Sequence, residues 1–210
     1  MDTLGPRLSV FPLAGALLFP RSHLPLHIFE PRYRALVKDA LARDRRIAMI
    51  QPRDHSEPPA LFEVGCVGRI ADVEALADGR FNIVLEGIAR FRVVRELSVT
   101  TPFRQVEARY DGFADDAEPI ALAAIQRAEI EREARRFART RGYAVDWDAV
   151  GRLDDEALVN GIAQIAPFDV AAKQALMEAL TIPDRADLLA QFLRFFGLSE
   201  DDDGEGNTLQ

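Results

Sequence analysis

Up to about residue 110, apolar residues come in short blocks or alternate with polar ones; beyond about 120 they recur every three to four positions. The first regime reads as strands and the second as helices. Leu8–Phe11, Leu24–Phe29 and Arg46–Gln51 predict short strands, Val64–Ala75 and Arg80–Val94 longer ones, and Phe103–Tyr110 a closing strand. Asp78-Gly79, inside Ala77–Arg80, predicts a two-residue hairpin turn with both central residues at positive φ. Gly87 interrupts its strand and predicts a bulge or a close backbone approach. One helix belongs to this half. Pro31 suits a first helical position, Glu30 places negative charge at the positive end of the helix, and Tyr33, Leu36 and Ala40 mark its inner face.

An acidic, turn-rich joint at Asp111–Glu118 precedes the helices. Pro119 marks a first helical position for Ile120–Arg141, which ends near Gly142. Asp154 or Asp155 caps a second helix bearing Leu158, Ile162 and Ile165; Asp169 opens a third with Leu176, Met177 and Leu180. Pro183 separates off a last helix with Leu188, Leu189, Phe192, Leu193 and Phe196, and Gly197 sits where a glycine stops a helix. The expected fold is α+β. A curled, barrel-like antiparallel β lobe with one helix (1–112) is followed by a helical lobe (113–198) and a disordered acidic tail (199–210).

The segment LPLHIFEPRYRALVKDALARD (Leu24–Asp44) resembles the opening of the Lon protease N-terminal, substrate-binding domain, in the stand-alone form that some bacteria carry. The resemblance continues through Val10–Leu13, Leu17–Pro20, Phe62–Ile70 and Phe81–Val93, and again through Asn160–Leu193. It implies a PUA-like β lobe and a domain that contributes to substrate recognition and assembly. It also implies structural roles for the motif residues Glu30, Pro31, Arg32, Tyr33, Gly65, Gly68, Glu86 and Gly87. Arg32 is expected to pair with a carboxylate in the β lobe.

Composition adds mainly exclusions. With 48% hydrophobic and 29% charged residues the chain reads as an ordinary soluble globular protein, and cytoplasmic is the expected location. The net charge of −8 argues against a dedicated nucleic-acid binder. Cys66, the single cysteine, permits no intrachain disulfide and reads as a buried structural residue. Neither Lys38 nor Lys173 sits in a phosphate-binding loop, and none of the five serines lies in a nucleophile elbow. His23 and His27 straddle Pro25 in an extended segment, which is poor metal-ligand geometry. The chain is therefore read as non-enzymatic, with no cofactor and no metal.

What remains is binding. Leu17-Leu18-Phe19-Pro20 and the Pro58–Phe62 stretch, with Leu61 and Phe62, are apolar yet lie between strands. Folded inward they join the core; exposed together they form a patch for unfolded or extended polypeptides, aided by sheet edges that accept an added strand. The partners implied are such polypeptides together with a protease or chaperone, and no membrane. RNA binding through the PUA-like barrel, or a small ligand between the lobes, are the alternatives. The last helix carries more large apolar side chains than one inward stripe needs, which suggests a homodimer.

Overall fold

The computed structural model describes residues 4–113 and 121–198. Two compact units are present, Met1–Ala117 and Glu118–Gln210. The first holds six strands and one helix: β1 Arg7–Pro12, β2 His23–Ile28, α1 Pro31–Ala42, β3 Arg46–Pro52, β4 Leu61–Ala75, β5 Phe81–Glu96 and β6 Gln105–Arg109. The second is helical: α2 Ala124–Thr140, α3 Trp147–Gly151, α4 Asp155–Ile165, α5 Val170–Glu178 and α6 Ile182–Leu198. The α+β reading holds.

The strands follow the order β2-β5-β4-β3-β1-β6, and β5 also pairs with β6, so five strands close on themselves with β2 appended. One pair departs from the expected antiparallel pattern: β1 runs parallel to β3, Val10 facing Ala48. A parallel neighbour needs a crossover connection, and the chain between these strands supplies one through β2 and α1. Closure depends on β5 changing partners along one edge. Its residues 81–86 pair with β2, and Arg92–Glu96 pair with β6. The switch falls at the bulge, where Val67 faces Ala89 but Gly68 faces Gly87, leaving Ile88 extra. A bulge sharpens the local twist and redirects the strand. Leu8, Val10, Ile50, Val67, Phe91 and Val106 fill the barrel interior, each side chain returning about 1.5–3 kcal/mol on burial.

The hairpin differs from the expected two-residue turn. Only Gly79 has positive φ (80°), and the loop closes through Gly79 N–H to Leu76 O (2.9 Å) and Leu76 N–H to Arg80 O (2.9 Å). This is a three-residue connection ending in a glycine bulge, and it leaves Asp78 free to accept from the Arg80 amide at 3.1 Å. In the helical unit α2 begins at Ala124 rather than Ile120. Asp155 accepts from Leu122 N–H at 2.9 Å and keeps that stretch out of the helix, while Gln126 reaches back to the Ala123 amide at 3.3 Å. Pro119 lies outside the described residues. Asp154 and Asp169 cap α4 and α5 as expected, accepting from Ala157 and Ala172 amides at 2.7 Å each. Gly197 lies inside α6 and does not terminate it.

One surface tie joins the end of β5 to the loop before β4. Arg104 grips both oxygens of Glu96 (2.7 and 2.6 Å) and donates to Pro59 O at 2.7 Å. The hydrogen bonds from Arg104 hold the Glu96 carboxyl below its ordinary range. A depressed carboxylate stabilises the fold above the unfolded pKa and loses that contribution as pH falls through the folded one. Arg104→Ala is therefore expected to cost about 1 kcal/mol at neutral pH, kept small by solvent exposure, with the gap to wild type closing below about pH 4. Urea unfolding at both pH values checks this; a gap that persists in acid would show that Arg104 acts through packing and its Pro59 bond rather than through Glu96.

Candidate functional site

Of the two placements open to the apolar stretch Leu17–Pro20, the structure shows the inward one. Leu17, Leu18 and Phe19 are 2%, 0% and 0% exposed, and Pro20 is buried too. Phe19 is held by a reciprocal pair with Ser22: its amide donates to Ser22 Oγ (3.0 Å) and the Ser22 hydroxyl returns to Phe19 O (2.8 Å). The physical reason is the bulge in β5. Gly87 offers its bare backbone to this segment, receiving Arg21 N–H on its carbonyl and donating its own N–H to Ser22 O, both at 2.9 Å. Leu61 and Phe62 are only half-buried; Leu61 packs against the barrel core and the Arg53 guanidinium lies 5.8 Å from the Phe62 ring. The two stretches do not make one exposed patch.

The motif residues lie at the start of α1 and along β4 and β5. Pro31 opens α1, the Glu30 carbonyl accepts from Tyr33 and Arg34 amides, and the Glu30 carboxylate takes Arg32 at 2.9 Å. Arg32 thus finds its acid two residues away, and its guanidinium lies 4.6 Å over the Tyr33 ring. Tyr33 is buried against Phe11, ring centroids 4.1 Å apart, and that burial raises its phenol pKa. A side chain on Gly65 would meet Met49 O and the Phe91 ring; one on Gly68 would meet Leu18 and Leu85. Glu86 pairs across strands with Arg69 at 2.7 Å.

The sheet edges are poor templates for an added strand. Within the described sheet β2 pairs only with β5, and Pro25 sits in it without an N–H to offer. Beyond Ile70, β4 also pairs only with β5 and exposes Asp72 and Glu74. A polar ladder crosses this face: His27 Nδ1 meets Asn82 Oδ1 at 2.7 Å and Asn82 Nδ2 donates to Glu74 at 2.7 Å. That ladder explains His27. Among the described residues no three His, Cys, Asp or Glu side chains gather for a metal ion, and no helix is long and apolar enough to cross a membrane.

The surface feature suited to binding lies in the helical unit. At the end of α2, Gly142 adopts φ 68°, its N–H bonds Arg139 O (3.2 Å) and Tyr143 N–H bonds Ala138 O (2.8 Å). This left-handed stop carries the chain out into Tyr143-Ala144-Val145. Asp146 then caps the five-residue α3, accepting from Ala149 N–H at 2.9 Å, and α3 buries none of its residues. Between these parts lies a groove of about 440 Å³. Phe137 and Ala138 of α2, Ile162 of α4 and Leu193 of α6 contribute to it, as do Tyr143, Val145 and Trp147 on the other side. Among the described residues no charged side chain lines it. At its border Ile165 is 82% exposed and Tyr143 51%. Apolar clefts with such rims take up apolar side chains of a partner.

Spacing alone assigns Ile165 to the core of α4, because it continues the Leu158–Ile162 stripe. The groove opens there because α3 is too short to cover it. The available sequence signals were Trp147, the single tryptophan, and the cap residue Asp146 just before it. Around α6 the surplus of aromatic side chains is partly spent inside the unit: Phe168 contacts Phe137, Phe192 and Phe196 with centroids 5.1–6.1 Å apart. Phe195 and Leu198 remain exposed, and a shallower depression runs along Phe192 and Phe195 beside α5.

Residues 7–194 match the family model described as the ATP-dependent protease La (LON) substrate-binding domain. Lon protease 2 of Sorangium cellulosum is 31% identical over 193 residues, an alignment covering 86% of this chain and 23% of that protein. Among solved structures, a Lon N-terminal domain protein from Xanthomonas campestris superposes with a TM-score of 0.63 at 20% identity, covering 89% of this chain and 98% of the other. The N-terminal domain of Mycobacterium avium complex Lon protease gives 0.65 at 19% identity, covering 90% and 98%. These two likenesses are of fold. The chain spans less than a quarter of the length of that Sorangium relative.

Proposed function

The chain belongs to the family of ATP-dependent protease La (Lon) substrate-binding domains, and on that premise we propose that it binds extended or unfolded polypeptide segments without catalysing a reaction on them. The observation that carries this reading is the uncharged apolar groove of the helical unit, with Ile165, Tyr143 and Val145 exposed at its border. Such a groove takes apolar side chains that a folded client hides and an unfolded one presents. Binding of this kind is weak and tolerant of sequence, which suits an adaptor or holdase that passes non-native chains to a protease or chaperone in the cytoplasm.

The test is fluorescence anisotropy of the full chain with a labelled, permanently unfolded polypeptide, a folded control and a single-stranded RNA. Saturable binding to the unfolded chain alone is expected. Ile165→Asp, at an exposed position that leaves the fold intact, should weaken it about tenfold by placing a charge where an apolar side chain must dock. Binding to RNA alone, or to none of the three, would overturn the proposal.

A further inference from the structure

The rim of the groove carries charge on one side. In the first half of α2 the acids are matched: Arg127 pairs with Glu131 (3.0 Å), Arg132 with Glu133 (2.9 Å), and Arg194 with both Glu129 and Glu133. Past Ala134 the helix has no acid at all. Arg135, Arg136 and Arg139 follow, and Arg141 stands at its end. Among the described residues, no ion pair takes in Arg135, Arg136 or Arg139. The Arg135 guanidinium lies 4.5 Å over the Trp147 ring, and Trp147 lines the groove. Residues on a helix step about 100° apart, so Arg139 stands about 40° from Arg135, and Arg139 and Arg136 both lie about 100° from the nearest lining residue of α2; Arg135 is the one that reaches Trp147. Arg141 lies 5.6 Å from the Phe137 ring centroid and donates to Phe196 O at 2.7 Å. The opposing acids are few. Asp146 is engaged in capping α3, and Asp148 is exposed within it.

The carbonyl end of a helix favours cations, which accounts for Arg139 without any ligand. It does not account for Arg135 stacking on an indole at the lip of the groove. An apolar side chain docked against Trp147 excludes water from that guanidinium, and a carboxylate there is held more strongly than on open surface.

From this arrangement we infer that the groove selects, among apolar segments, those whose flanking residues are acidic. The inference rests on the polypeptide-binding reading above and names the class of client. It also runs against the protein's net charge of −8, whose field would draw lysine-flanked segments instead. A preference for acidic flanks must therefore come from the rim.

The experiment uses three labelled peptides with one shared apolar core, flanked by Asp/Glu, by Ser/Gly or by Lys, titrated with the full chain at low and high salt. The acidic-flanked peptide is expected to bind about fivefold more tightly than the lysine-flanked one, and added salt should narrow the gap. The double variant Arg135→Glu/Arg139→Glu should reverse the order, and Arg43→Glu, at an exposed position in the β unit, should leave it unchanged. Equal affinities at low salt, or a reversal produced equally by Arg43→Glu, would overturn this inference while leaving the groove a peptide site. If no peptide binds, both readings fall.

Discussion

Gly87→Ala should lower the stability of the β unit by about 3 kcal/mol, on the order of 10 °C in melting temperature. A Cβ at this position would overlap the Phe19 carbonyl oxygen and lie 2.7 Å from the carbonyl carbon and 3.2 Å from Pro20 Cα. All three are backbone atoms, so no rotamer change relieves the clash. The segment they belong to cannot drift away cheaply, because two backbone hydrogen bonds tie it to Gly87 and it buries Leu17, Leu18 and Phe19. Gly161→Ala is the internal contrast. Its new methyl group has nothing within 4 Å, and it lies in the interior of α4, so it should stabilise by roughly 0.5–1 kcal/mol. Urea unfolding followed by far-ultraviolet circular dichroism measures both. A Gly87→Ala midpoint within 1 kcal/mol of wild type would mean that the bulge tolerates a wider approach than its hydrogen bonds suggest.

That glycine also shows what the sequence makes legible. An interrupted apolar strand announced a bulge or a close backbone approach, and both are present, because only a residue without a side chain serves either purpose. Strand positions, the Pro31 start of α1 and the caps Asp154 and Asp169 were legible for the same kind of reason: each is fixed by local chemistry. The parallel β1–β3 pair was not, since pairing partners are set by chain topology and not by any short pattern. The direction in which Leu17–Pro20 turns was open too. An apolar loop reads alike whether it faces solvent or plugs a barrel, and its burial is decided by Gly68 and Gly87, some fifty to seventy residues later. The groove escaped for a third reason. Its boundary is a single short turn of helix, below the length at which periodicity carries information, and Ile165 keeps the spacing of a core residue while pointing out.

Arg185→Ala should destabilise the helical unit by about 3–5 kcal/mol, the largest effect expected there. The side chain is 1% exposed, near the start of α6. Its Nε donates to Leu176 O at 2.9 Å and its Nη1 to Asn160 Oδ1 at 2.8 Å. Leu176 lies in the last turn of α5, where carbonyls have no partner within the helix, and Asn160 is itself buried in α4. One guanidinium thus joins α4 and α5 to α6. Truncation leaves the Leu176 and Asn160 acceptors without these bonds and opens a cavity, and both effects cost free energy. Arg185→Lys should recover only part of the loss, because a single ammonium cannot reproduce a fork aimed at two acceptors. Arg152→Ala, at an exposed position just beyond α3, should stay within about 0.5 kcal/mol of wild type. Since Ile162 on α4 and Leu193 on α6 both contribute to the groove, a variant that loosens their junction should also bind unfolded polypeptide less well at temperatures where it remains folded. A loss below about 1 kcal/mol for Arg185→Ala would show that desolvating the cation costs as much as its bonds return. The arrangement of the three helices would then rest on apolar packing and on other ties such as Lys173 Nζ to Gln164 O at 2.9 Å, and not on this guanidinium.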